Sequence, residues 1–470
     1  MTPTDRTPTD RTPTDLLTDS DSLMWRIEAD PVLRSPIVVV GMLDREPKRA
    51  ALHAALDRAV LAIPRLRQRV VSDGGRLAWA DDPAYSLTHH LRFATVDDGG
   101  GVGAVLAVAE PDAAAAFDPV RPLWQLTVVT GLDGGQAAFI LRFHHTITDG
   151  VGGVALAEGL FDRRRTPARQ PAASAPVTTV PRSSPDPDGP GVWASFTGLA
   201  AGAVRVAAKT ATDPRGSLLA GWRVARSVER MVAPTGPPLS PLLVGRGIDR
   251  RLHVLELPFA GLLAAGHAAD GTVNDAFLAA VGGAMREYHE TLGTRLDSMR
   301  VTMPISLRTA EDAPGGNRFT PARFEMPIDD PDPAGRIRLA SAIVRRIRAE
   351  PAVGLTSILA SVLNRLPGPL VTSAFGAMLR SIDVDAVDVP GLRRAAYFAG
   401  AKLDRMWAFA PPTGAAMSIT LVSHGDTAAI GVATDVAAVA EPELLVACLG
   451  RALDDVLTLA PAGYQCRILV

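Results

Sequence analysis

The stretch FHHTITDG at residues 143–150 places two adjacent histidines shortly before an Asp-Gly pair. Residues 136–143 form a nearly continuous apolar run, which predicts a buried strand, and the pattern of residues 151–161 predicts a helix. The motif is therefore expected on a strand-to-helix turn, where side chains held by rigid elements often carry chemistry.

His144 and His145 are predicted to have different roles. At the end of an extended strand, neighbouring side chains point to opposite faces, so one histidine should face a cleft and the other should pack. A histidine in a cleft is a natural general base near neutral pH, because its unperturbed pKa is about 6.5. Asp149 is interpreted as a residue that fixes the turn by binding an arginine. Gly150 is interpreted as one that permits a tight turn or a close substrate.

Two other interpretations of the motif compete with the general base. A His-His-Asp metal site is one, but sequential histidines diverge and no further ligand pattern accompanies them, so no metal is predicted. The other is that both histidines are satisfied core residues. That interpretation is favoured for a second pair, His89 and His90, because no Asp-Gly follows it.

The charge balance and the cysteine content narrow the class of protein. Lys and Arg number 48 against 50 Asp and Glu, so the net charge of -2 provides no field that would recruit nucleic acid. Cys448 and Cys466 lack metal-ligand spacing and fit a reducing cytosol. The N-terminus lacks the regions of a signal peptide, and the apolar segment 355–378 is interrupted by Asn364 and Arg365. A cytoplasmic protein, soluble or peripheral on a membrane, is therefore expected.

The order of strand-like and helix-like runs predicts an α/β protein. A repetitive polar stretch at the start is expected to be disordered, and the Pro-, Ser- and Ala-rich stretch that begins at residue 163 is typical of a linker. The predicted division is a tail at 1–15, an N-terminal domain at 16–162, a linker with a helical part at 163–215, and a C-terminal domain at 216–470.

Hydrophobic periodicity predicts the main elements within these domains. The predicted strands are 37–42, 124–130, 137–143, 252–257, 300–304, 417–423 and 428–434. The predicted helices are 49–63, 193–209, 216–232, 273–289 and 441–459. In helix 216–232, Leu218 and Trp222 share a face that the arginines avoid, so this helix either packs with a cationic outer side or lies on a membrane surface.

Several short motifs occur together in one order and carry a family resemblance. The HHxxxDG motif resembles that of the CoA-dependent acyltransferase superfamily, and the other motifs resemble those of its bacterial wax ester synthase and diacylglycerol acyltransferase family. These further matches are PRLRQR at 64–69, PLW at 122–124, ND at 274–275, PISLR at 304–308 and GN at 316–317. The likeness runs from about residue 16 to the end of the chain.

The resemblance implies a fold of two domains like chloramphenicol acetyltransferase, each a mixed β-sheet packed with helices, with an active-site tunnel at their interface. It implies acyl-CoA as co-substrate, no bound cofactor, and a diacylglycerol or a long-chain alcohol as acceptor. His145 would deprotonate the acceptor hydroxyl, which attacks the thioester directly and gives triacylglycerol or wax ester. Contact with a membrane or a lipid droplet would follow from such substrates.

Other residues receive roles from the matched motifs. Asp149 would pair with Arg308, and Asn274 would order the active-site region. Asp275 is interpreted as a helix N-cap as readily as a site residue. Asn317 either binds at the tunnel or fixes a turn.

For each of four further residues, the sequence is consistent with two roles. Ser418 and Thr420 lie where relatives place hydroxyl donors for the oxyanion, and they are equally ordinary polar positions of an alternating strand. Leu123 and Trp124 are interpreted as core residues, with a role in shaping the acyl channel as the alternative.

Two segments depart from the family pattern. The opening signature, DxxF in the family, reads DSLMW at residues 21–25. The family carries SNVPGP before its last strands, whereas residues 387–392 read VDVPGL. Two alternatives therefore stand beside neutral-lipid synthesis. The first is a condensation-type or secondary-pathway acyltransferase, and the second is a lipid-binding paralogue without turnover.

Overall fold

The structure is a computed structural model of the whole chain. It describes residues 15–73, 75–97, 99–148, 153, 159–166, 236–306, 319–349, 360, 363–365, 367–392, 394–461 and 463–470. The predicted tail and linker, and the predicted helices 193–209 and 216–232, lie outside these residues almost entirely.

The described part of the chain contains sixteen strands and eight α-helices, numbered here in chain order. The strands are β1 Asp15–Leu16, β2 Pro36–Leu43, β3 Gln68–Asp73, β4 Arg76–Asp81, β5 Leu91–Thr95, β6 Trp124–Thr130, β7 Ala137–His144, β8 Arg250–Pro258, β9 Ser298–Ser306, β10 Phe319–Pro327, β11 Val384–Val389, β12 Tyr397–Phe398, β13 Ala401–Phe409, β14 Met417–His424, β15 Thr427–Asp435 and β16 Arg467–Ile468. The helices are α1 Asp19–Ile27, α2 Arg49–Ala62, α3 Val102–Ala114, α4 Phe259–Ala268, α5 Val273–Thr291, α6 Pro333–Arg348, α7 Gly368–Arg380 and α8 Pro442–Leu457.

The first large sheet has six strands in the order β12-β13-β2-β7-β6-β5. Its neighbours run antiparallel, except that β5 and β6 are parallel. Every residue of β7 is buried, which explains the continuous apolar run that leads into the histidine pair. Pro36 of β2 lies opposite His144, so the start of β2 and the end of β7 meet at the HHxxxDG turn.

The second large sheet has seven strands in the order β10-β9-β11-β14-β15-β8-β16. It is also mixed, since β11 runs parallel to both of its neighbours and the other pairs are antiparallel. Helices α5 and α8 contribute fully buried side chains, among them Phe277 and Leu453, to the core on one face of this sheet. A third, small sheet joins β1, β4 and β3. The predicted mixed α/β fold of two domains is confirmed.

The opposite face of the seven-stranded sheet packs toward the first domain, and it is called the inner face below. Its residues Leu252 and Val254 share one apolar cluster with Val38 and Val40 of β2 and with Trp407 of β13. The two domains therefore share a continuous core at this face.

Strand β13 crosses from the C-terminal half of the chain into the first sheet. It lies beside β2, with Phe409 opposite Val38. The division predicted at residue 216 does not include this exchange, because hydrogen-bonding partners of a strand are chosen by tertiary contacts rather than by local sequence.

No helix in the described part of the chain is long and apolar enough to cross a membrane.

The crossing of β13 depends on a glycine in β15. A Cβ at Gly431 would overlap the carbonyl oxygen of Ala408 and lie 3.0 Å from the Phe409 ring. We expect Gly431→Ala to lower the free energy of unfolding by about 1–3 kcal/mol, because the backbone of β13 cannot yield without disturbing β2. Urea unfolding followed by circular dichroism measures this change. Gly368→Ala is the matched control, since its Cβ meets nothing within 4 Å, and an equal loss there would contradict the steric explanation.

Candidate active site

The first motif histidine, His144, is wholly enclosed. Its side chain has 0% exposure, and its ring Nδ1 lies 2.8 Å from the Thr146 hydroxyl. On the other side of the ring, Nε2 lies 2.7 Å from a carboxylate oxygen of Glu28. Trp25 and Phe117 contact the ring edge-on, with centroid distances of 5.5 and 6.0 Å. Both ring nitrogens and the ring faces are thus occupied by protein groups.

The backbone around the histidine pair is fixed by contacts from three segments. The His144 N–H donates to the Leu123 carbonyl at 2.9 Å, and the His145 N–H donates to the Ser35 carbonyl at 3.1 Å. Ser35 in turn donates its own N–H to Glu28 at 2.6 Å. Glu28 therefore holds both the ring of His144 and the loop that binds the backbone of His145. No local pattern in the sequence indicates this role of Glu28.

His145 differs from its neighbour in exposure, because its side chain is half-buried. This difference follows the strand alternation on which the two roles were predicted, and it supports a packing role for His144 and an accessible His145. The rest of the motif, Asp149 and Gly150, lies outside the described residues, as do Arg308 and Asn317. Their roles, and that of His145 as a base, stay predictions.

Leu123 and Trp124 lie in the core of the first domain. Trp124 is 2% exposed, and its indole N–H donates to the Leu66 carbonyl at 2.7 Å. Its ring stacks on His90 at a centroid distance of 4.7 Å. Burial lowers the pKa of His90, which is therefore neutral near pH 7. This arrangement favours the packing interpretation of the PLW segment.

The ND motif opens helix α5 with a capping box. Thr272 is the N-cap, and its hydroxyl accepts the N–H of Asp275 at 3.3 Å. The Asp275 carboxylate accepts the Thr272 N–H at 2.9 Å. Asp275 is therefore not the N-cap, as interpreted from the sequence, but the third helical residue, which completes the box. The T-x-x-D spacing was the signal that identifies it. Asn274 is half-buried, and its amide nitrogen has no hydrogen-bond partner among the described residues.

Ser418 and Thr420 are both buried on the inner face, and each already has a partner. Thr420 accepts the N–H of Ala410 at 3.1 Å, so its hydroxyl holds β14 to the end of β13. Ser418 donates to a carboxylate oxygen of Asp385 at 3.3 Å. Asp385 was not among the predicted site residues. The sequence feature that could have identified Asp385 is an acidic residue within the largely apolar strand 384–389. The fold then places this residue on the inner face.

Asp385 has an unusual ionisation. Burial raises the pKa of its carboxyl from 3.8 to about 7, and the hydrogen bond from Ser418 only partly opposes this effect. Both the acid and the carboxylate form are therefore present near neutral pH.

The altered segment keeps the backbone of its turn. A Cβ at Gly391 would overlap the Ser423 carbonyl oxygen, and the Gly391 N–H donates to the Ser423 hydroxyl at 3.1 Å. Leu392, which stands where the family has proline, is buried against the core of the first domain. Leu392 thus makes an apolar contact at the turn.

The described residues contain no group of three or more His, Cys, Asp or Glu side chains that could hold a metal ion.

Comparison with known families decides the class of protein. The family model for the wax ester synthase/diacylglycerol acyltransferase catalytic domain matches residues 17–277, and the model for the C-terminal domain of the same family matches residues 315–456. The chain belongs to this family. It is therefore an acyltransferase, and the family uses acyl-CoA as substrate.

Individual relatives agree with this assignment. A putative diacylglycerol O-acyltransferase of Mycobacterium tuberculosis is 33% identical over 465 residues, which cover 96% of this chain and 93% of the relative. A probable diacylglycerol O-acyltransferase of the same organism is 29% identical over 410 residues, 83% of this chain and 87% of the relative.

Solved structures share the fold. The wax ester synthase/diacylglycerol acyltransferase of Marinobacter aquaeolei VT8 superposes with a TM-score of 0.60 at 18% identity, over 94% of this chain and 99% of that one. The first condensation domain of the calcium-dependent antibiotic synthetase gives 0.61 at 17% identity, over 98% of this chain and 100% of the domain.

Removal of Glu28 tests the packing of the histidine pair. We expect Glu28→Ala to lower the free energy of unfolding by about 1–3 kcal/mol, because the Ser35 N–H and the buried His144 ring lose their acceptor. Chemical denaturation measures the change. The exposed Glu46→Ala is the control and should stay within about 0.5 kcal/mol of the parent protein. Equal effects of the two substitutions would show that Glu28 does not support the site.

The ionisation of Asp385 gives stability a predictable pH dependence. Because the folded-state pKa is raised, the folded protein binds this proton more tightly than the unfolded chain, and the parent protein loses stability as pH rises from about 4 to about 7. Asp385→Asn removes that loss and keeps an acceptor for Ser418. We expect the variant to gain stability relative to the parent between pH 4 and pH 8, measured by urea unfolding at each pH. The exposed Asp270→Asn is the control.

Proposed function

We propose that this protein transfers a long-chain acyl group from acyl-CoA to diacylglycerol or a long-chain alcohol, which gives triacylglycerol or wax ester. Membership of the family is the observation that carries the proposal. The enclosed His144 beside the half-buried His145 adds support, because it leaves one histidine of the complete motif accessible to substrate.

His145 is the proposed general base. Its imidazole takes the proton of the acceptor hydroxyl, and the acceptor oxygen attacks the thioester carbonyl carbon. When the tetrahedral intermediate collapses, the carbon–sulfur bond breaks and the CoA thiolate receives the proton from the imidazolium. The products are an ester and free CoA, and no acyl-enzyme is formed.

The developing oxyanion needs a hydrogen-bond donor, and Thr420 is a better candidate than Ser418. The Thr420 hydroxyl acts as acceptor toward Ala410, so its own hydrogen stays available. The hydrogen of Ser418 is already directed at Asp385. Asp149 is proposed to hold the turn by pairing with Arg308.

Acyl-CoA and a lipid acceptor are the proposed partners. The related starter condensation domain of rhizomide synthetase was solved with C8-CoA, which supports an acyl-CoA site in this fold. The relatives named as diacylglycerol O-acyltransferases support the lipid acceptor. Because these substrates are lipids, the enzyme is proposed to be cytoplasmic and to contact the surface of a membrane or a lipid droplet.

A condensation-type reaction is the second candidate, and the fold shared with the antibiotic synthetase domain favours it. It predicts an amine or an unusual hydroxyl as acceptor. The intact turn at Gly391 weighs against the third possibility, a paralogue without turnover, because the altered segment keeps its backbone contacts.

Turnover by the purified protein tests the proposal. Palmitoyl-CoA is supplied with hexadecanol or with dioleoylglycerol, and free CoA and lipid products are followed. We expect His145→Ala to lower kcat by about 100-fold or more, the usual contribution of a general base. The exposed His53→Ala is the matched control and should retain parental activity.

Two outcomes would contradict this function. Retained turnover in His145→Ala would remove the histidine from the mechanism. Turnover with amines but with neither lipid acceptor would move the protein to the condensation type.

A further inference from the structure

A row of residues crosses the inner face of the seven-stranded sheet at one level. Pairing between adjacent strands brings them side by side, and residues paired in this way point to the same face of a sheet. From β8 to β10 the row is Leu252, Ala433, Ser418, Asp385, Thr302 and Arg323.

The residues of the row change from apolar to polar where the contact between the domains ends. Leu252 and Ala433 belong to the apolar core shared by the two domains. Ser418 is fully buried beside them, whereas Asp385 and Thr302 are half-buried. The inner face is therefore partly exposed at β11 and β9, next to the region where the two domains are in contact.

The other face of the same strands is closed. Val301 and Val384, the neighbours of Thr302 and Asp385 in sequence, have 0% exposure and lie in the core under the helices. Two interior strands thus expose only one side, and that side carries polar groups.

These polar groups have unused hydrogen-bonding capacity. Among the described residues, the Asp385 carboxylate has one hydrogen-bond partner, Ser418, although a carboxylate can accept about four. The Thr302 hydroxyl oxygen is buried and has no partner among those residues. Polar groups in such surroundings are ordinarily paired, so two incompletely paired groups on a partly exposed face are suited to a ligand.

The chemistry of the row selects the kind of ligand. A carboxylate requires a donor, and a Thr hydroxyl can both donate and accept, so a ligand hydroxyl can satisfy both groups at once. An ester carbonyl can pair only with the acid form of Asp385, whereas a hydroxyl can pair with either form. An ammonium group could donate to both groups, but unlike a hydroxyl it could not accept a hydrogen bond from Thr302 or from the acid form of Asp385.

We propose that Asp385, Ser418 and Thr302 form a subsite for a second hydroxyl group of the acceptor, so that the enzyme prefers a diol to a plain alcohol of equal length. Ser418 is a positioning residue, since it fixes one oxygen of Asp385 and leaves the other for the ligand. The inference rests on the proposed function, and it extends that function from a single reacting hydroxyl to an acceptor with two.

Matched acceptors test the subsite. Values of kcat/KM are compared for 1,2-hexadecanediol and 1-hexadecanol with palmitoyl-CoA. We expect the parent protein to prefer the diol by about tenfold, the effect of one hydrogen bond to a charged group. Asp385→Leu should reduce the ratio to about one, and Thr302→Val should reduce it in part. Asp385→Asn, which keeps the shape of the side chain, should also lower the ratio. It is the second test in case Asp385→Leu misfolds.

The control is Asp388→Asn on the same strand. Its side chain is exposed and, by strand alternation, belongs to the opposite face, so the diol preference should persist. Equal use of the two acceptors by the parent protein would overturn the subsite. So would a preference that survives in Asp385→Leu and Asp385→Asn.

Binding distinguishes failure of the subsite from failure of the proposed function. Calorimetric titration with each acceptor in the absence of acyl-CoA needs no turnover. Tighter binding of the diol that is lost in Asp385→Asn supports the subsite even if no ester forms. Equal binding of the two acceptors contradicts the subsite, whatever the activity.

Discussion

Strand β2 is the constraint on which the rest of the structure depends. On one side it pairs with β7, whose last residue is His144, and on the other side it pairs with β13 from the C-terminal half of the chain. The same strand supplies Val38 and Val40 to the core between the sheets. The histidine turn, the crossing strand and the domain contact are therefore positioned by one piece of backbone, and the geometry of the site is a property of both domains.

Local sequence predicts ten of the 24 described strands and helices, because the burial of these ten is regular. Strand β6 was predicted with its observed bounds, and the ends of β7 and α8 were displaced by one or two residues. The difference in burial between His144 and His145 also follows from local geometry, since alternation separates adjacent side chains. Glu28 and β13 could not be found in this way. Both act through partners distant in sequence, and nothing in their own neighbourhood specifies which partner they contact.

The polar residues also show which features local sequence can and cannot predict. Asp275 could be assigned from the spacing of its capping box, because both members lie in one helical turn. Asp385 belongs to an apolar strand and looks like an exception to the pattern. Its environment includes Ser418 and Thr302, which lie beside it on the two neighbouring strands. Residues that break a local pattern are thus the ones whose function requires the fold to be known.

The exchange of β13 also has a consequence for the order in which the protein is made. Until residue 409 has left the ribosome, β2 has only β7 as a neighbour and forms a bare edge of hydrophobic sheet. Unpaired edges of this kind readily join other chains. The N-terminal half is therefore expected to expose an aggregation-prone edge during synthesis until β13 pairs with β2.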